Sequence, residues 1–316
     1  MFIKRFFVSV VAVIMMLCFS NAIARDPIKI VIGFVAGGGS DRIVREAQYI
    51  LQNAGIPSVI EFRPGAGGEV AVQHVANSKD TGVKLLLAAT NNITVRNLRP
   101  HDVYQFNNLQ PVVYLGYVPL LLATSRNSNI KTLDDFLKNQ RDLTLGSSGV
   151  GSGTHLAGEM IFSYTKKTMT HIPYKGNSQI MPDLISGRID SSIIFPTQAV
   201  GLVDKGDLNA VAVIGSRRVD SLPGIPTLDE RNLSGAYRKL MYVFYASPGT
   251  TTQQIQEIAQ IFSRAFRDPI TAQRFRNNAD MEIEPEKVLD TVHIMNEEFG
   301  IYRRLAERVP SIVTRE

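Results

Sequence analysis

The stretch Ile28-Lys29-Ile30-Val31-Ile32-Gly33-Phe34-Val35-Ala36-Gly37-Gly38-Gly39-Ser40-Asp41 decides how the chain folds. Residues 28–34 form an apolar run broken only by Lys29 and Gly33, the pattern of a strand covered on both faces. Beyond the glycine turn, Ile43, Val44, Ala47, Ile50, Leu51 and Ala54 recur at the spacing that gathers side chains on one helical face, and Gly55 is placed to end that helix. Strand, glycine turn and helix in this order are the repeating unit of an α/β protein. Several backbone N–H groups of such a turn point into one small volume at the positive end of a helix, a geometry that binds anions. Neither the Gly-x-x-x-x-Gly-Lys-Ser/Thr nor the Gly-x-Gly-x-x-Gly spacing is met, so this is not a nucleotide-phosphate loop or a dinucleotide fingerprint. Read alone, the loop is explained equally well as a plain glycine-rich turn.

The same grammar runs down the chain. Residues 85–89, 143–146, 191–195 and 208–214 read as buried strands, Thr132 with Asp135 and Thr251 with Gln254 as helix starts, and Gly187 as a helix end. Val288, Val292, Met295, Phe299 and Tyr302, spaced by four and three, predict a final amphipathic helix, and Phe162, Phe262 and Phe299 are expected in the core. Strands alternating with helices predict mostly parallel sheets, and 316 residues are enough for two domains. In such sheets a ligand lies in the crevice at the carboxyl ends of the strands, which singles out the loops after Phe34, Ala89, Gly146, Ile172 and Phe195.

Composition narrows the class. Charged residues make up 20% of the chain and hydrophobic ones 44%, which excludes a disordered polymer, and a single cysteine excludes a disulfide scaffold. The net charge of +5 is spread along the sequence, with no basic block of the kind that marks nucleic-acid binding. Lys4 and Arg5 precede an uncharged apolar run over residues 6–19, followed by Ala22-Ile23-Ala24. Residues 1–24 therefore read as a secretory signal peptide cleaved after Ala24, too short in its apolar part to span a membrane. Cys18 does not suggest a lipoprotein, because bulky Leu17 stands where a small residue is needed. Cleavage would remove Lys4, Arg5 and the lone cysteine, leaving a net charge of +3.

A second glycine loop sharpens the functional reading. Ser147-Ser148-Gly149-Val150-Gly151-Ser152-Gly153-Thr154-His155 again follows a short strand and precedes a helix, adding hydroxyl donors to free N–H groups. Two such loops suggest a carboxylate held between two domains by neutral donors. Ser147 or Ser148 with His155 could be cast as a hydrolase, but the Gly-x-Ser-x-Gly elbow is missing. The histidines show no metal-ligand spacing, and Asp41 suits helix capping as well as ligand contact.

At these loops the sequence resembles the tripartite tricarboxylate transporter receptor family, the Bug or TctC-type extracytoplasmic solute receptors. Residues 34–41 resemble the family's Phe-x-Pro-Gly-Gly-x-x-Asp opening, and Glu61-Phe62-Arg63-Pro64-Gly65-Ala66-Gly67-Gly68 its Glu-Asn-Arg-Pro-Gly-Ala-Gly-Gly segment. Residues 147–159 are similar to its Ser-Ser-Gly-x-Gly-Ser segment running into His-Leu-Ala-Gly-Glu, and Ile172-Pro173-Tyr174-Lys175-Gly176 to its Val-Pro-Tyr-Lys-Gly turn. Residues 222–228 and 246–251 match two further stretches, all in the family's order.

The resemblance implies a type II periplasmic-binding fold: two α/β lobes joined by crossing strands, with the ligand cleft between them. Lobe 1 would comprise 25–121 and 241–316, lobe 2 122–240, with crossings near residues 120–123 and 240–243. It implies a monomeric periplasmic receptor that closes on a small organic carboxylate and delivers it to an inner-membrane permease of one large and one small subunit. No nucleic acid, metal, cofactor or catalytic residue is expected. Ligand contacts carry over to Val35, Gly37, Gly38, Ser40, Ser147, Ser148, Gly153, Thr154, Tyr174 and Lys175; Asn91 is added for its amide and His155 for its place beside the second loop. Ala36 replaces the usual proline, and Ile193-Ile194-Phe195-Pro196 lacks the acid that many members carry there, which favours a mono- or dicarboxylate without an amino group. A same-fold receptor for a sensor kinase and an exported hydrolase are the competing readings.

Overall fold

The structure is a computed structural model and describes residues 26–80, 82–98 and 108–308. The expected signal peptide, its cleavage point after Ala24, Cys18 and His101 lie outside the described residues. The first lobe receives strands β1 (Ile28–Ile32), β2 (Ser58–Phe62), β3 (Lys84–Ala89) and β4 (Gln110–Val118), with helices α1 (Gly39–Asn53), α2 (Glu69–Ala76) and α3 (Thr90–Asn97). Past Pro119 the chain builds a second lobe from β5 (Leu120–Ser125), β6 (Leu143–Ser147), β7 (Met169–Pro173), β8 (Ser191–Ile194) and β9 (Leu208–Ile214). Helices α4 (Leu133–Lys138), α5 (Gly153–Tyr164), α6 (Asn177–Ser186) and α7 (Pro196–Asp204) connect those strands. The chain then returns to the first sheet as β10 (Leu240–Ala246), followed by α8 (Thr252–Phe266), α9 (Pro269–Ala279) and α10 (Thr291–Arg308).

Local signals act where the sequence places them. Thr132 and Thr251 each form a capping box, with Asp135 and Gln254. Gly187 ends α6 at φ +80°, and Gly55 follows α1 at φ +74°, backbone that a side chain would strain.

The strand orders are β2-β1-β3-β10-β4 and β7-β6-β8-β5-β9. The strands of each sheet run parallel as expected with one exception apiece, which makes both sheets mixed: β1 pairs parallel with β2 and β3, and β6 with β7 and β8, but β10 and β5 run antiparallel to both of their neighbours. The cause is the crossing. Each of these strands is the first laid down after the chain changes sheet, so it enters from the opposite end. Both faces of each sheet are covered, as the unbroken apolar runs require. Ile30 and Ile32 pack in one cluster with Ile43, Val44 and Ala47 of α1, while Val31 packs on the other face with Ala71, Val72 and Val75 of α2. Full burial of each large apolar side chain is worth about 1.5–3 kcal/mol.

The final helix is present, and Val288 and Tyr302 are buried as expected, but the stripe between them is not the expected one. Phe162 and Phe262 are core residues, whereas Val292 is 60% and Phe299 37% exposed. The inward positions of α10 are Thr291, Ile294, Glu298 and Tyr302. Val288 lies in the turn before the helix, so counting from it shifts the phase, and inward Thr291 and Glu298 hide the true one. Glu298 accepts a hydrogen bond from the Thr90 hydroxyl (3.3 Å), and burial pushes its carboxyl up to about 7 against that bond and the nearby Arg238. A carboxyl raised on folding stabilises fully below its unfolded pKa, and that contribution is lost as pH rises through the folded value. Glu298→Gln should therefore remove part of the fall in melting temperature between about pH 4.5 and 7. Differential scanning calorimetry of both proteins across that range measures it; parallel curves would refute the assignment.

Candidate functional site

The carboxyl ends of β1, β3, β6 and β8 meet at the junction of the lobes, where a cavity is lined by Phe34, Gly38, Gly39, Ser40, Ala89, Leu240 and Tyr242 from lobe 1. Lobe 2 contributes Ser148, Gly153, Thr154, Asn177 and Phe195. Among the described residues, none that lines the cavity carries a formal charge. What converges instead is helix starts. Gly38 is the N-cap of α1, Gly153 and Thr154 open α5, Asn177 opens α6, and Phe195 is the N-cap of α7. The first N–H groups of a helix have no partner within it and carry its positive end. In α1 and α6 the N-caps are glycines that offer no side-chain acceptor.

The hydroxyls are held in place. The Ser148 N–H donates to Thr154 Oγ1 at 3.0 Å, the two hydroxyls are 2.9 Å apart, and Ser152 Oγ accepts the His155 N–H at 3.2 Å. Burial pushes the Tyr242 phenol up to about 12, with the Ser40 hydroxyl beside it acting against that push. Asp41 turns away from the cavity: its carboxylate accepts the Gly37 N–H at 2.8 Å and pairs with Arg45 at 2.9 Å, fixing the first loop.

Behind the second loop lie two histidines. His155 and His171 stack with ring centres 3.9 Å apart, His171 Nε2 is 2.6 Å from Ser147 Oγ, and His155 Nδ1 accepts the Gly151 N–H at 3.1 Å. Burial, with His155 beside it, pushes His171 down to about 4, so its imidazole is neutral at neutral pH. The Ser147 hydroxyl is fully buried and bonded within its own loop, an arrangement that braces the loop rather than exposing a nucleophile.

Of the residues expected to bind ligand, Gly38, Ser40, Ser148, Gly153 and Thr154 line the cavity, and Val35, Gly37, Ser147, His155, Tyr174 and Lys175 do not. Ser147 and His155 support the loop from behind; the Tyr174 hydroxyl donates to Asp183 at 2.7 Å, and Lys175 is exposed. Asn91 falls in the first turn of α3, and its side chain lies outside the described residues. Sequence reasoning missed Phe34, Gly39, Ala89, Asn177, Phe195, Leu240 and Tyr242. The loops after Phe34, Ala89 and Phe195 were already marked by their place at strand ends, and Asn177 follows a glycine at a helix start, so part of the signal was there.

Away from the cavity the lobes touch through backbone. A Cβ added at Gly67, which sits at φ +60°, would overlap the Val150 carbonyl oxygen, one at Gly149 would lie 2.9 Å from Gly67 N, and one at Gly176 2.8 Å from Val35 Cγ2. The Ser178 hydroxyl donates to the Ala36 carbonyl across the same seam at 3.3 Å. A Cβ at Gly39 would run into the Phe195 ring, which reaches over from lobe 2. The space left in the cavity is about 20 Å³, room for a water or two. Admitting a larger molecule requires the lobes to part.

Two α/β lobes that meet on a neutral cleft of helix starts define a two-lobed solute-binding receptor. The profile described as the tripartite tricarboxylate transporter family receptor matches residues 43–309. The chain belongs to that family. It is 29% identical over 256 residues to a protein encoded in the TAR-I ttuE-ttuC' intergenic region of Agrobacterium vitis, an alignment covering 79% of this chain and 74% of that one. Among solved structures it resembles the periplasmic binding protein BugD (TM-score 0.80, 23% identity, 90% of this chain and 98% of the other). It likewise resembles Rpa4515 of R. palustris solved with adipate (TM-score 0.80, 22% identity, 92% and 99%). At these identities the structures share the fold. Among the described residues, no helix is long and apolar enough to cross a membrane.

The seam makes closure sensitive to a single methyl group. Gly67→Ala should hold the lobes apart and raise the radius of gyration in small-angle X-ray scattering. Gly55→Ala is the control: its φ is +74°, but nothing lies within 4 Å of the added Cβ. Equal values for the two variants would show that the seam does not limit closure.

Proposed function

We propose that the chain is a periplasmic receptor that captures a small organic carboxylate without an amino group by hinge closure and hands it to a permease of one large and one small membrane subunit. Lobe 1, the chain as far as Pro119 and again from Leu240, and lobe 2, the chain from Leu120 to Lys239, would move as the two bodies, within two residues of the bounds expected at 121/122 and 240/241, and the receptor would act as a monomer. The observation that carries this reading is the convergence of α1, α5 and α6 starts from both lobes on a cleft whose described lining residues are all uncharged. A carboxylate placed there gains N–H donors and three positive helix ends without a buried ion pair, whose desolvation is unfavourable. Closure excludes water and strengthens those contacts, while opening needs no salt bridge to be broken.

The walls favour an acid over an amino acid. Phe34, Phe195, Leu240 and Ala89 supply apolar surface, and among the described residues no carboxylate lines the cleft to meet an ammonium group. The resemblance to the adipate-bound Rpa4515 protein agrees with this chemistry. As a receptor, the chain needs no nucleophile, and the buried Ser147 is not offered as one.

A thermal-shift panel tests the reading, with succinate, adipate and benzoate against glycine, putrescine and glucose. A ligand at about 100 times its Kd stabilises by roughly 2.7 kcal/mol. At least one carboxylate should raise the melting temperature by that order, and Ser148→Ala with Thr154→Val should weaken its binding about tenfold, the equivalent of about 1.4 kcal/mol. Stabilisation by the amine or the sugar, with none by the acids, would overturn the proposal.

A further inference from the structure

Helix α7 has an unusual start. Its N-cap is Phe195, whose side chain has no acceptor, and its first residue is Pro196, which has no N–H. The first N–H needing a partner is that of Thr197, in a part-buried position between the lobes. Lobe 1 supplies the acceptor. Asp280, directly after α9, takes the Thr197 N–H on both carboxylate oxygens at 3.1 and 2.9 Å, and the Thr197 hydroxyl donates to Oδ2 at 2.6 Å. Asp280 is 8% exposed and sits at φ +56°, in the left-handed region where a helix end ordinarily uses glycine. An aspartate kept there at some cost in backbone energy, with its carboxylate aimed at another lobe, has a purpose beyond ending α9.

We propose that Asp280 is a positioning residue for ligand capture: it caps α7 from the opposite lobe and thereby holds the closed arrangement that brings Phe195 over the cleft. The cap and the Phe195 ring are two residues apart, so the bond that ties the lobes together also fixes the wall that reaches Gly39. Asp280 is not among the residues that line the cavity. The inference rests on the reading of the chain as a hinged receptor, and its test reports closure without any ligand, so the two can fail separately.

The test is a cross-lobe disulfide. In a Cys18→Ser background, Gly37→Cys with Ser178→Cys places Cβ atoms about 4.0 Å apart in the closed arrangement, within the range a disulfide needs, and the strain of a side chain at φ +82° falls equally on this parent and on every variant compared with it. The rate of bond formation under mild oxidation, followed by loss of free thiols, reports how often the lobes meet. Asp280→Ala should slow it at least fivefold, while Asp280→Asn, whose amide oxygen still accepts the Thr197 N–H, should stay within about twofold of the parent. An unchanged rate in Asp280→Ala overturns the proposal. So does an equal loss in Asp280→Asn, which would assign the effect to charge rather than to capping. Should Asp280→Ala fail to fold, Thr197→Val, which removes only the hydroxyl bond, should slow the reaction two- to threefold, and an unchanged rate there overturns it as well.

Discussion

Helices α1 and α6 begin on glycine, so their first N–H groups have no side chain of their own to bond. That deficit organises the rest of the molecule. A buried N–H without a partner is costly, and here the deficit is concentrated at strand ends on the boundary between two lobes, where a small anion can meet it from both sides. The described lining of the cleft needs no charged side chain, because backbone N–H groups supply the donors. The residues around it brace the backbone: Asp41 ties down the first loop, Ser147 with the histidine pair the second, and Ser152 with Thr154 the start of α5.

How far these features were legible depended on whether their causes were local. Strand β9 coincides with the apolar run 208–214, and Thr132, Thr251 and Gly187 mark helix ends through contacts within a few residues. The reversed polarity of β5 and β10 was not legible, because alternating strands and helices say nothing about the end from which a returning strand enters. The phase of α10 was hidden by Thr291 and Glu298, polar residues at inward positions. In the cleft, the loop residues Gly38, Ser40, Ser148, Gly153 and Thr154 could be picked out from glycines and hydroxyls before helices. Leu240 and Tyr242 could not, since an apolar strand residue facing a cavity looks like one facing the core. The pairing of Thr197 with Asp280 spans 83 residues and has no sequence signal.

The glycines of the seam and those of the loops serve different ends. In the loops, glycine leaves N–H groups open to a ligand. At Gly67, Gly149 and Gly176 it lets the backbone of one lobe approach the other more closely than any side chain would allow. The family-like Arg63-Pro64-Gly65-Ala66-Gly67-Gly68 segment belongs to this second use; its glycine-rich composition alone does not distinguish the two.

The place of β10 also sets an order of assembly. This strand lies between β3 and β4 in the first sheet, yet the chain reaches it only after all of β5 to β9. Until residues 240–246 are available, β4 has no neighbour in its sheet and β3 lacks one of its two. The second lobe, by contrast, is one uninterrupted length of chain, and Leu120 pairs with Ile214 so that its way in and its way out lie side by side. Its pairings, such as Leu121 with Ile194 and Leu120 with Ile214, all join residues fewer than a hundred positions apart, while the first lobe also needs pairings of β10 with β3 and β4 that span more than a hundred, the kind that slow folding. The cleft depends on the same strand, because Leu240 and Tyr242 line it, so its wall is complete only when β10 stands between β3 and β4.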